Sequence, residues 1–147
     1  MNKWYDKFHV LRDIDLQIMQ GERIVLWGPS GSGKTTLIRC LAGLESVEAG
    51  EMEIAGARKK TGPMTRPVPT EGVGMVFQAS ALFTHMRVID NLTLGLTDVR
   101  KVPVEEARAI AMRHLDRVRM SDYALRYPRQ LSGGQQQRAE IARALCM

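Results

Sequence analysis

Gly28-Pro29-Ser30-Gly31-Ser32-Gly33-Lys34-Thr35 is the stretch on which the fold turns. It fits GxxxxGK[ST], and its setting matters as much as its letters. The apolar residues of Arg23 to Trp27 precede it and read as a buried strand. Lys34 to Ala42 follows, with Leu37, Ile38, Leu41 and Ala42 at helical spacing and Gly43 placed as a C-terminal cap. Strand, glycine-rich loop and helix in that order form a phosphate cradle. Gly31 and Gly33 let the backbone approach phosphate oxygens. Successive N–H groups and the helix N-terminus, worth about half a positive charge, face the anion. Lys34 is expected to hold the β- and γ-phosphates as a point charge, and the Thr35 hydroxyl to ligate the Mg²⁺ between them.

Outward from this loop the chain alternates between two periodicities. Ile14, Leu16 and Ile18 read as a half-exposed strand, turned by Gly21-Glu22 into the strand that feeds the loop. Glu51 to Ile54 reads as a short strand. Arg58 to Thr70, carrying Pro63, Pro67 and Pro69, reads as an irregular surface loop, and Val73 to Phe77 as another apolar strand. Beyond Gln78 the pattern is helical. Val104 to Val118 sets Ala107, Ile110, Ala111, Leu115 and Val118 on one face, read as packed core, with charges opposite. After Pro128, Ser132 is positioned to N-cap a helix through Ile141, Ala144 and Leu145. These elements define an α/β class.

Composition narrows the partners. The 147 residues, 44% hydrophobic and 25% charged, suit one compact globular domain. Lys and Arg exceed Asp and Glu by 21 to 16, which favours phosphate-bearing ligands or acidic membrane surfaces. The basic residues are scattered without interleaved aromatics, so no nucleic-acid platform is expected. Cys40 and Cys146 belong to no CxxC or Cys/His cluster and fit a reducing compartment. No apolar run approaches the ~20 residues that span a bilayer, so membrane contact is expected only through a partner.

A second glycine-rich motif decides between the many phosphate-loop classes. Leu131-Ser132-Gly133-Gly134-Gln135-Gln136-Gln137-Arg138 resembles the signature of ABC transporter ATPases, and Val73-Gly74-Met75-Val76-Phe77-Gln78 resembles their Q-loop strand. The resemblance runs over nearly the whole chain. It is nearest to ATP-binding subunits of polar amino-acid uptake systems, through Val10-Leu11-Arg12-Asp13-Ile14, Leu37-Ile38-Arg39-Cys40 and Ala142-Arg143-Ala144-Leu145-Cys146-Met147. The Pro-rich 58–70 loop departs from that subfamily, where a polar, partly helical approach is commoner.

The resemblance implies a P-loop NTPase core over 1–78, a helical subdomain over about 79–130 and a signature helix over 131–147, with an incomplete sheet. It implies ATP and Mg²⁺ as cofactors. Gly28, Pro29, Ser30, Gly31, Ser32, Gly33, Lys34, Thr35 and Thr36 would bind the phosphates, and Gln78 would contact Mg²⁺ and the attacking water. Ser132, Gly133, Gly134 and Gln135 would face the γ-phosphate held by a second ATP-binding subunit in a head-to-tail dimer. Tyr5, in Lys3-Trp4-Tyr5, would stack on adenine, with Phe8 as the alternative; Asp6 stands where the family usually has Gly. Ala79 to Met86 would line the groove for a transmembrane permease, with the subunit peripheral on the cytoplasmic face of the inner membrane. The family's Asp-Glu strand end and later His, needed for hydrolysis, have no counterpart in these residues, so the chain reads as clipped and inactive in hydrolysis by itself. Two other readings stay open: a non-catalytic nucleotide-binding remnant, and a soluble ABC-class ATPase of DNA repair or translation. The short, heptad-free interval between Lys34 and Leu131 argues against the latter.

Overall fold

A computed structural model describes residues 1–62 and 66–147. The chain divides into two compact units, Met1–Val73 and Gly74–Met147.

Among the described residues the first unit is built on two hairpins and one helix. β1 (Lys3–Tyr5) pairs antiparallel with β2 (Phe8–Leu11), Tyr5 opposite Phe8. The chain reverses at Asp6, whose φ of 52° lies in the left-handed region. That region favours glycine, with Asp and Asn the best tolerated of the other residues, so Asp6 can stand at the position where the family usually has Gly. β3 (Met52–Ile54) pairs with β4 (Ala57–Lys59) across a two-residue turn, Ala55-Gly56, with φ of 50° and 79°. Positive φ at both turn residues matches the right-handed twist of the flanking strands. Arg58 and Lys59, read from sequence as the start of a loop, are therefore in a strand. Pro63, part of the same reading, lies outside the described residues.

α1 (Lys34–Leu41) runs as expected and buries Leu37 and Cys40 against Leu11 and Val47. Its end is a Schellman motif: the Gly43 N–H donates to the Cys40 carbonyl at 3.0 Å and the Leu44 N–H to the Arg39 carbonyl at 2.9 Å. Gly43 has φ 72°, and a Cβ there would sit 2.0 Å from the Val68 carbonyl oxygen. Only glycine meets both demands.

Three expected strands do not form. Residues 14–18, 23–27 and 73–77 carry no ladder, and Val25 and Trp27 are 86% and 95% exposed. The physical reason is pairing. An apolar strand is buried only when neighbouring strands satisfy its N–H and C=O groups, and in a parallel sheet those neighbours arrive through long crossovers. Among the described residues the ladders are the two local hairpins, so Arg23 to Trp27 has no strand partner, and of its apolar side chains only Leu26 packs against the core of this unit.

The second unit is helical. α2 (Val88–Leu94) continues into a π-helical turn at Gly95–Val99, followed by α3 (Val104–Arg117) and α4 (Gly133–Cys146). The three helices pack on one another pairwise. The stripe expected on α3 is the core face: Ala107, Ala111 and Leu115 are fully buried, with Ile110 and Val118 packed at its margin. Small residues at 107 and 111 on α3 and at Ala139 and Ala142 on α4 let the two helices approach closely.

Candidate functional site

The phosphate loop bends where its glycines allow. Gly33 N-caps α1 at φ 87°, and a Cβ there would press on Leu11 Cδ2 at 3.0 Å and the Val10 carbonyl at 3.3 Å. Gly28 is equally close to Ser32, whose Oγ would be 3.1 Å from an added Cβ. The Lys34 ammonium folds back over its own loop, donating to the carbonyls of Gly28 at 2.8 Å and Pro29 at 2.6 Å and to Ser32 Oγ at 3.2 Å. The Ser32 N–H closes the turn onto the Pro29 carbonyl at 3.3 Å.

The donor set suits a polyanion. α1 begins without a side-chain cap and without an acidic residue in its first turn, so its leading N–H groups keep their partial positive charge unsatisfied. Ser30, Ser32 and Thr35 are exposed, and Thr36 is half-buried. Phosphate oxygens are stronger acceptors for Lys34 than neutral carbonyls, because both partners then carry charge. Among the described residues no group of three or more His, Cys, Asp or Glu could hold a metal ion. A cation here would rest on Thr35 and the phosphate oxygens themselves.

Tyr5 sits at this end of the same unit. Its pKa is raised, first by burial and then by the Glu45 charge. The ring stays 41% exposed, whereas Phe8, the other candidate, is 66% exposed across the hairpin.

The second unit carries the remaining candidates. Gln78 is exposed at a bend. Ser132 caps α4 as expected, its Oγ accepting the Gln135 N–H at 3.3 Å. Gln135 completes a capping box, its Oε1 accepting the Ser132 N–H at 2.8 Å. The Ser-x-x-Gln spacing is what permits that box. Both side chains are thus engaged in ending their own helix. Gly133 and Gly134, with no side chain, offer first-turn N–H groups that no intrahelical carbonyl can reach. Leu82, from the 79–86 segment expected to line a partner groove, is instead buried in the helical core at 5%, while Phe83 is 45% exposed.

Several residues escaped sequence reasoning. Glu140, 3% exposed, accepts the Ala81 N–H, and Arg143 Nη1 donates to the Ala81 carbonyl at 2.8 Å, so α4 grips both polar groups of one residue. Asn91 does the same for Phe83 from α2, accepting its N–H at 2.7 Å and donating to its carbonyl at 3.1 Å. A polar residue inside an apolar pattern marks a buried partner but not its identity. In the first unit Lys3 is 3% exposed beside Glu45, Ser46 and Glu48, and no local pattern brings these together.

Comparison with known proteins places this architecture. The ABC transporter family matches residues 11–147, and the chain belongs to that family. It is 51% identical over 147 residues to the glutamate/glutamine/aspartate/asparagine transport ATP-binding protein of Rhodobacter capsulatus, covering all of this chain and 56% of that protein. It is 50% identical to the general L-amino acid transport ATP-binding protein of Rhizobium johnstonii, covering all of this chain and 57% of that one. To the glutamate/aspartate import ATP-binding protein of Escherichia coli it is 46% identical, covering all of this chain and 61% of the relative. Among solved structures, a dimeric bacterial ABC transporter cassette superposes with a TM-score of 0.79 at 31% identity, over 99% of this chain and 66% of that one. A post-hydrolysis state of an ATP-binding cassette bound to ADP and Pi gives 0.78 at 30%, with the same coverage. The fold is that of a P-loop ABC ATPase cassette, and the chain spans somewhat over half the length of these relatives. Among the described residues no helix is long and apolar enough to cross a membrane.

Proposed function

We propose that this chain binds ATP with Mg²⁺ at Gly28 to Thr36 and forms the nucleotide-binding part of an ATPase that drives uptake of polar amino acids. The observation that carries the reading is the loop itself: an uncapped, acid-free helix N-terminus behind Gly33, with Lys34 held over a ring of acceptors. Entry of a triphosphate lets Lys34 exchange neutral carbonyls for charged oxygens, while the backbone N–H groups stay where the glycines have set them. The Thr35 hydroxyl would hold Mg²⁺. When bound, that ion neutralises charge on the β- and γ-phosphates. Ser132, Gly133, Gly134 and Gln135 would present the α4 N-terminus to ATP held by a second subunit in a head-to-tail dimer, and Gln78 would report nucleotide state. The substrate class follows the relatives, whose names state amino-acid transport, and in such a complex a permease, contacted near Phe83 on the cytoplasmic side, would carry the solute.

Equilibrium binding of a fluorescent ATP analogue tests the loop. Affinity is expected to depend on Mg²⁺ and to fall at least about tenfold in Lys34→Ala, the loss of one charge-assisted phosphate contact. Equal affinity in the variant rules out the assigned role of the loop. Uptake of labelled glutamate and glutamine by source cells carrying Lys34→Ala tests the transport assignment, which is wrong if uptake of both is unchanged.

A further inference from the structure

β1 is held by a buried ionic network that a hairpin of this size does not require. Lys3 Nζ donates to Glu48 Oε1 at 2.9 Å and to Ser46 Oγ at 3.0 Å, with Glu45 Oε2 at 3.8 Å. Ser46 donates to the same Glu48 oxygen at 2.7 Å, and the other Glu48 oxygen accepts the Trp4 N–H at 3.0 Å. Glu48 therefore ties down β1 through both its backbone and a side chain. Burial pushes the Glu48 pKa up, but the hydrogen bonds from Ser46, Lys3 and Trp4 outweigh it and the net shift is downward. Burying a Lys carries a desolvation cost that a well-packed apolar side chain avoids, so stability alone is weak reason for a cation here.

The position of that cation supplies a different reason. Lys3 Nζ lies 4.9 Å from the centroid of the Tyr5 ring. The ammonium occupies one face of the ring, where the π-electron charge attracts it. Thr36, in the first turn of α1, and Glu45, just beyond its end, are close enough to act on the Tyr5 hydroxyl. One face of the ring is thus held by the ammonium, while the ring as a whole stays 41% exposed.

We propose that Lys3, anchored by Glu48 and Ser46, is a positioning residue that presents a single face of Tyr5 to a purine base and so sets the base-dependent part of nucleotide affinity. This rests on the reading of 28–36 as an ATP site and deepens it: Lys34 and the loop take the phosphates, and the Lys3–Glu48 pair governs the platform for the base. Stacking on a loosely held ring loses part of its free energy to ordering that ring, and Lys3 removes that cost in advance.

Competition binding with ATP and with inorganic tripolyphosphate, both with Mg²⁺, separates the two contributions. Lys3→Met is expected to weaken ATP about tenfold, within the range of base–aromatic stacking, and to leave tripolyphosphate unchanged. Lys3→Arg is expected to restore most of the ATP affinity. Glu48→Gln keeps the bulk and the cation but weakens the anchor, and is expected to lower ATP affinity by a smaller factor, again sparing tripolyphosphate. A merely structural role would move both ligands together, and that result overturns the proposal, as does unchanged ATP affinity in Lys3→Met. Tyr5→Ala is the control on the platform: if it leaves ATP affinity intact, the base does not stack there and Lys3 has no such role. Failure of the site reading is distinct, since the unsubstituted protein would then fail to bind tripolyphosphate at all.

Discussion

Replacing Asn91 by Ala tests whether side chains, rather than local backbone preference, hold the segment after Gln78. Asn91 is 2% exposed; its Oδ1 accepts the Phe83 N–H at 2.7 Å, and the two N–H groups of its amide are shared among the carbonyls of Phe83 at 3.1 Å, Met86 at 3.3 Å and Arg87 at 3.0 Å. The Arg87 carbonyl keeps the Asn91 backbone N–H at 3.0 Å and the Phe83 carbonyl keeps the Met86 N–H at 3.1 Å, so only two partners, the Phe83 N–H and the Met86 carbonyl, are orphaned. At a net contribution of about 1 kcal/mol each, reduced because water can reach the half-exposed Phe83, the expected loss is about 1–2 kcal/mol. Urea unfolding measures the total, and amide hydrogen exchange at Phe83 measures the local opening. Asn91→Leu, which keeps the volume, should cost nearly as much as Ala. Asn91→Asp should cost more at pH 7 than at pH 4, because a carboxylate would face three carbonyl oxygens. A loss below about 1 kcal/mol in both Ala and Leu, with Phe83 exchange unchanged, would refute the reasoning.

Two further outcomes follow from single groups. The His114 pKa is lowered from 6.5 by burial and by the charges of Arg117 and Arg113, and its Nδ1 is buried without a partner. A depressed pKa means that the folded state binds fewer protons than the unfolded one. Its contribution is therefore whole above the unfolded value and is lost as pH falls through the folded one. The stability difference between the protein and His114→Gln should shrink from pH 8 to pH 5; a constant difference contradicts the assignment. Ser132→Ala removes one half of the α4 capping box and should destabilise the second unit by about 0.5–2 kcal/mol, read as a lower urea midpoint with unchanged slope, while Ser132→Gly costs only a few tenths.

What could be read from the letters alone was what depends on neighbours in sequence. The phosphate loop, the Gly43 cap, the α3 stripe and the Ser132 cap each follow from residues within a turn or two of one another, where backbone sterics and 3.6-residue spacing act without help. The Ala55-Gly56 hairpin follows the same local logic, although Arg58 and Lys59, both charged, read as loop residues. Long-range decisions were of another kind. Whether Arg23 to Trp27 becomes a buried strand depends on ladder partners that no local pattern names, and here its apolar side chains stay largely exposed. Leu82 looked like a surface residue until α2, α3 and α4 closed around it. Lys3 and Glu48, 45 residues apart, were brought together by packing. Motifs and caps are settled by local geometry; burial, ion pairing and strand partnership are settled only when distant segments meet, because their free energy does not exist until they do.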